Sequence, residues 1–139
     1  MSIPEKIRSE VLARANYRCE YCQTNSRLIG MPLVMEHILP KTAGGKDEGE
    51  NLAASCYRCN EFKGTKTHAT DPQTGQLAPL FNPRQQSWRE HFTWVNGGTH
   101  VAGLTPTGRA TVIALRLNNE YITEARALWI ESNWHPPTS

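Results

Sequence analysis

Two Cys-x-x-Cys pairs, Cys19-Glu20-Tyr21-Cys22 and Cys56-Tyr57-Arg58-Cys59, flank the run Met35-Glu36-His37-Ile38-Leu39-Pro40. Each pair can deliver two thiolates from one tight turn, and four thiolates at tetrahedral angles make a closed zinc site. The chain has four cysteines, all of them in these pairs. Disulfide or redox use is the alternative. No secretory apolar stretch precedes the pairs, and a cytosolic setting keeps thiols reduced and favours metal. The thirty-three residues between Cys22 and Cys56 exceed a zinc-ribbon spacing, so something is inserted, and the insert carries Glu36-His37.

The residue types in and after that insert suit hydrolysis of a phosphodiester. The reaction needs a group that takes a proton from water, and His37 has the right basicity. It also needs a divalent ion that neutralises charge on the phosphate, and Glu36 and Asn60 are hard oxygen donors for one. A lone histidine needs a partner that fixes its ring, and Asn51 is the candidate, through its backbone carbonyl. Lys63, one helical turn after Asn60, is a candidate phosphate contact, as are Arg58 and Lys66. Taken singly these features are bland. A Glu-His pair is mostly surface, Asn60 favours a helix start, Asn51 a turn, and the cations solvent. Strict strand alternation also points Glu36 and His37 to opposite faces, so a shared site needs a bend near Pro40.

The elements that must position these residues follow from local pattern. Residues 4–16 read as a helix, with Pro4 at its first position and Ile7, Val11 and Ala15 on one face. Residues 23–32 read as a loop or turn, 33–39 as a strand ended by Pro40, and 41–50 as a polar loop turning at Gly44-Gly45. A short helix starts near Cys56 or Tyr57 and stops around Gly64. Residues 65–86 read as irregular. A hairpin follows, His91 to Val95 and His100 to Leu104 around Asn96-Gly97-Gly98. Thr105 N-caps a helix from Pro106 to about Asn118, and a last helix, about 119–132, buries Ile122, Ala125, Leu128 and Trp129. Trp88, Phe92 and Trp94 are core aromatics or a base-stacking platform; His68, His91 and His100 read as structural, with a place at the phosphate the alternative for His68, the nearest of them to the motif.

Totals constrain the rest. A chain of 139 residues fits one domain or one domain with a companion. Ten glycines and nine prolines imply a small, loop-rich core that a metal staple would help. Net charge is +2, compatible with a phosphate-backbone partner without demanding one. No apolar run approaches a membrane span.

The run Glu36-His37-Ile38-Leu39-Pro40-Lys41, then Gly44-Gly45, Asn51-Leu52, Cys56-Tyr57-Arg58-Cys59-Asn60 and Lys63-Gly64, resembles an HNH endonuclease of the zinc-knuckle subset, over about residues 15–66. The resemblance implies a ββα-metal core. It implies His37 as the general base, Asn51 ordering the loop and the base, and Asn60 and Glu36 as ligands of a catalytic Mg or Mn ion. Cys19, Cys22, Cys56 and Cys59 would hold the structural zinc. The expectation is an α+β fold, with residues 1–70 as the nuclease domain and 71–139 as an α/β extension packed on it. The resemblance further implies a cytoplasmic phosphodiester hydrolase acting on nucleic acid, DNA in preference to RNA, with oligomeric state left open. The alternative is a non-catalytic zinc-dependent nucleic-acid-binding module that keeps the cysteines and makes no use of His37.

Overall fold

A computed structural model describes residues 3–138. The chain divides into two compact units, one formed by residues up to Thr67 with Asn82–Gln86, the other by His68–Phe81 with the chain from Ser87 onward.

In the first unit, helix α1 (Glu5–Arg14) follows Pro4 and buries Val11. Asn16 and Tyr17 then take left-handed backbone angles, which an α-helix cannot continue through, and the chain turns into the first Cys pair. The stretch expected to be all loop carries one helical turn, α2 (Ser26–Ile29). The Asn25 side chain caps it by accepting from Arg27 N, and Gly30 ends it at φ 64°. Strand β1 (Val34–His37) pairs antiparallel with β2 (Leu52–Ser55), with Glu36 opposite Ala53 and His37 opposite Leu52. All four residues of β2 are buried. Helix α3 (Tyr57–Lys63) follows at once, and Gly64 ends it. Two antiparallel strands followed by a helix thus carry the residues of interest.

Long-range polar contacts tie this unit together. Arg14 donates to the carbonyls of Gly49 and Leu52, joining α1 to the start of β2. Glu20, inside the first Cys pair, accepts from Ala54 N and pairs with Arg84, while its own N–H donates to Ala54 O. The first pair is therefore fastened to β2, which leads directly into the second.

The second unit is built on two hairpins and two helices. Strands β3 (His68–Thr70) and β4 (Leu77–Pro79) occupy a stretch expected to be irregular. Their turn is organised by buried Asp71, which accepts from Gln73 N, Thr74 Oγ1, and Nε and one terminal nitrogen of Arg109. After the turn α4 (Trp88–His91), β5 (Phe92–Val95) and β6 (His100–Gly103) form the expected hairpin around Asn96-Gly97-Gly98. Helix α5 (Pro106–Ala114) is capped by Thr105, whose hydroxyl accepts from Gly108 N. It stops earlier than expected, with Arg116 in the left-handed region. On α6 (Glu120–Glu131) Ile122 is buried as expected, but Leu128 is 64% exposed and Arg126 is buried in its place. Arg126 earns that position by donating to Thr99 O and lying over the Trp94 ring. Trp88 stacks between Phe92 and Trp94, so these aromatics pack on one another inside this unit.

Candidate active site and metal centre

The four cysteine sulfurs lie within 4.8 Å of one another, and all four residues are buried. Each pair forms its turn in the same way. Cys22 N approaches Cys19 Sγ at 3.5 Å, and Cys59 N approaches Cys56 Sγ at 3.4 Å. Cys22 and Cys56 Sγ are 3.7 Å apart. A tetrahedron of sulfurs with bonds of about 2.3 Å to zinc has edges of about 3.8 Å, so the donor set fits that ion. Burial pushes the Cys19 thiol up, whereas the hydrogen bond with Cys19 pulls Cys22 down. Arg58 is half-buried and donates to Cys22 Sγ at 3.8 Å, where it offsets the excess negative charge of a four-thiolate site.

Glu36 and His37 leave β1 on opposite faces, as strand alternation requires. Glu36 turns inward and is 3% exposed. Its Oε1 accepts from Lys63 Nζ at 2.8 Å and its Oε2 from the Tyr21 hydroxyl at 2.9 Å. Lys63 also reaches the carbonyls of His37 and Ile38. Burial pushes the Glu36 carboxyl above its usual range while Lys63 pulls the other way. The structure therefore brings Glu36 together with Lys63 and Tyr21, and not with His37. Lys63, a candidate phosphate contact by spacing, is the buried counter-ion of Glu36 instead.

His37 faces the polar loop and keeps about a quarter of its side chain exposed. Its Nε2 lies 2.7 Å from Asp47 Oδ1, and Lys41 Nζ lies 3.1 Å from the other Asp47 oxygen. The hydrogen bond from His37, and next that from Lys41, hold the Asp47 carboxyl below its usual range. Among the described residues Nδ1 of His37 has no hydrogen-bond partner.

Asn51 does not touch His37 through its carbonyl, which accepts from Ile38 N. Its side chain acts on the loop. Oδ1 accepts from Leu39 N at 2.8 Å, and Nδ2 donates to Leu39 O and Lys46 O. That clamp joins the end of β1 to the residue before Asp47. Gly45 makes it possible, because a Cβ there would lie 1.7 Å from Leu39 O and 2.8 Å from Asn51 Nδ2. Asn60 is half-buried on the first turns of α3, and Lys66 is exposed with its Nζ on Phe62 O. Asp47 and Tyr21 were not visible as site residues in the sequence. Asp47 sat in a run of loop polars ten residues from its partner, and Tyr21 was hidden between two cysteines.

Residues 19–66 match the HNH endonuclease profile. This segment is an HNH endonuclease domain. The HNH domain spans both Cys pairs, β1, β2 and α3. The chain is 29% identical over 114 residues to the Septu protein PtuB of Bacillus thuringiensis, covering 81% of this chain and 41% of that protein. It is 35% identical over 68 residues to the CRISPR-associated endonuclease Cas9 of Corynebacterium diphtheriae, covering 45% of this chain and 6% of that protein. The chain thus spans well under two thirds of either curated relative. No solved structure matches it. Among the described residues no helix is long and apolar enough to cross a membrane.

Proposed function

We propose that the HNH domain hydrolyses phosphodiester bonds in nucleic acid, DNA by preference, with His37 as the general base. The observation that carries this reading is the state of His37. It is a solvent-reachable imidazole at the end of β1, anchored through Nε2 and open at Nδ1. Membership of residues 19–66 in a nuclease family supports it, as does the likeness to a protein named as an endonuclease.

In the proposed step a water oxygen bonds to phosphorus while His37 takes the proton that water loses. One P–O ester bond breaks, and the departing oxygen takes a proton from solvent, to which His37 returns its own. Zinc held by Cys19, Cys22, Cys56 and Cys59 would be closed to substrate and would fix the two Cys turns, and with them β2 and α3, in place. Magnesium or manganese is the ion expected of the family for the phosphate. The expected ligand pair does not fit it as the side chains stand, because Glu36 is sealed against a lysine ammonium 2.8 Å away. Glu36 therefore takes no part in the proposed step, and Asn60 remains the oxygen donor of that pair.

The test is plasmid cleavage by the zinc-loaded chain in Mg²⁺ or Mn²⁺, wild type beside His37→Ala. Cleavage by the wild type and a loss of about 10²-fold or more in the variant is expected. Two proteins equally active would overturn His37 as the base, and binding of DNA with no cleavage under any metal would favour the non-catalytic binding module.

A further inference from the structure

We propose that Asp47 is a positioning residue that holds the His37 imidazole as its Nε2–H tautomer, leaving Nδ1 as the atom that takes the proton from water. The role rests on the reading of His37 as the base.

The chemistry of the contact decides the tautomer. An ionised carboxylate only accepts hydrogen bonds, so Nε2, 2.7 Å from Asp47 Oδ1, must be the donor. The other neutral tautomer would aim the Nε2 lone pair at a carboxylate oxygen, which is repulsive at that distance. Asp47 is kept ionised from its far side by Lys41, 3.1 Å from Oδ2, and its carboxyl is held below the usual range by these two partners. When Nδ1 takes a proton, the ring becomes a cation directly beside this carboxylate, which stabilises it.

The geometry is held by the backbone, as a positioning role demands. Asp47 sits on a loop, and a loop aspartate alone would swing away. Its neighbour Lys46 is tied by its carbonyl to Asn51 Nδ2, and Asn51 is tied twice more to Leu39, two residues beyond His37. One carboxamide thus fixes the distance between the strand end carrying the base and the loop carrying its acceptor. Gly45 lets the loop lie against Leu39 closely enough for that carboxamide to span both. The middle Asn of the motif and the Gly-Gly turn then share a purpose: they deliver Asp47 to His37.

The experiment uses the zinc-loaded full chain, a duplex oligonucleotide with Mg²⁺ or Mn²⁺, and the variants Asp47→Asn, Asp47→Ala, Asp47→Glu and His37→Ala. It reads kcat, KM and the ring-nitrogen NMR shifts of His37. In the wild type Nε2 should read as protonated and Nδ1 as bare. Asp47→Asn and Asp47→Ala should mix the tautomers and lower kcat about 10²-fold while KM moves less than about twofold. Asp47→Glu, which keeps a carboxylate, should recover part of kcat. If His37→Ala abolishes cleavage while Asp47→Asn keeps both kcat and the wild-type nitrogen shifts, the positioning role is overturned and the function reading stands. If His37→Ala cleaves like the wild type, the function reading fails, and the positioning role falls with it.

Discussion

Lys63 Nζ donates to Glu36 Oε1 at 2.8 Å, with both side chains almost sealed from solvent. The pair joins the end of α3 to the middle of β1, across the strand face opposite His37. An acid and a base that read as metal ligand and phosphate contact thus act together inside the unit. The Tyr21 hydroxyl completes the carboxylate, and its own phenol is pushed well above its usual value by burial and by Glu36.

Removing one partner of that pair should be costly. Lys63→Met leaves the Glu36 carboxylate buried beside an apolar chain, and breaking a buried pair from one side costs about 3–5 kcal/mol. The double variant Glu36→Gln, Lys63→Met removes both charges and should regain much of that loss. Urea unfolding of the first unit, followed by amide exchange in β1 and β2, measures the cycle. A Lys63→Met chain with unchanged stability and weakened DNA binding would return Lys63 to the phosphate.

The cysteine quartet predicts one zinc per chain and a first unit that depends on it. Cys56→Ser, or removal of the metal by a strong chelator, should unfold β1, β2 and α3, because closed structural zinc contributes folding energy directly. Metal analysis together with amide exchange checks this. A chain that is folded and metal-free would count against the zinc staple.

Gly45→Ala should dislodge the loop. The new methyl would sit 1.7 Å from a backbone oxygen, a clash that only a backbone shift relieves, at about 1–3 kcal/mol. Asn51→Ala removes the clamp from the other side by deleting its three hydrogen bonds to Leu39 and Lys46. Both should lower cleavage while zinc content stays at the wild-type level. Loss of zinc along with activity would mean that the loop supports the whole unit rather than the base.

Features set by neighbours in sequence were legible, and those set by distant partners were not. The Cys pairs, the Thr105 cap before Pro106 and the Asn96-Gly97-Gly98 turn are local signals, and each has its expected structure. Alternation in β1 correctly put Glu36 and His37 on opposite faces, but alternation does not say which face is interior. Tyr21 and Lys63, fifteen and twenty-seven residues from Glu36, decide that. The β3–β4 hairpin was hidden because its strands are three residues long and its turn is held by Arg109, thirty-eight residues from Asp71. On α6 the spacing marked Leu128 as core, yet the space goes to Arg126, whose partners Thr99 and Trp94 lie on the preceding hairpin region.

The Asp71–Arg109 pair predicts how the second unit responds to acid. Arg109, donating through Nε and one terminal nitrogen at 2.9 and 3.0 Å, holds the Asp71 carboxyl well below the usual range, helped by Gln73 N and Thr74. A carboxyl whose value is depressed on folding stabilises the folded state above its unfolded value, about 3.9, and loses that contribution as pH falls toward the folded one. Stability from this pair should therefore be constant at neutral pH and decline below about pH 4. Asp71→Asn should lower the urea midpoint at pH 7, and the gap from wild type should narrow as the medium is acidified below about pH 4. All four tryptophans, Trp88, Trp94, Trp129 and Trp134, belong to this unit, so their fluorescence follows its unfolding directly. A gap that stays the same at low pH would mean that Asp71 acts through its turn hydrogen bonds alone, without its charge.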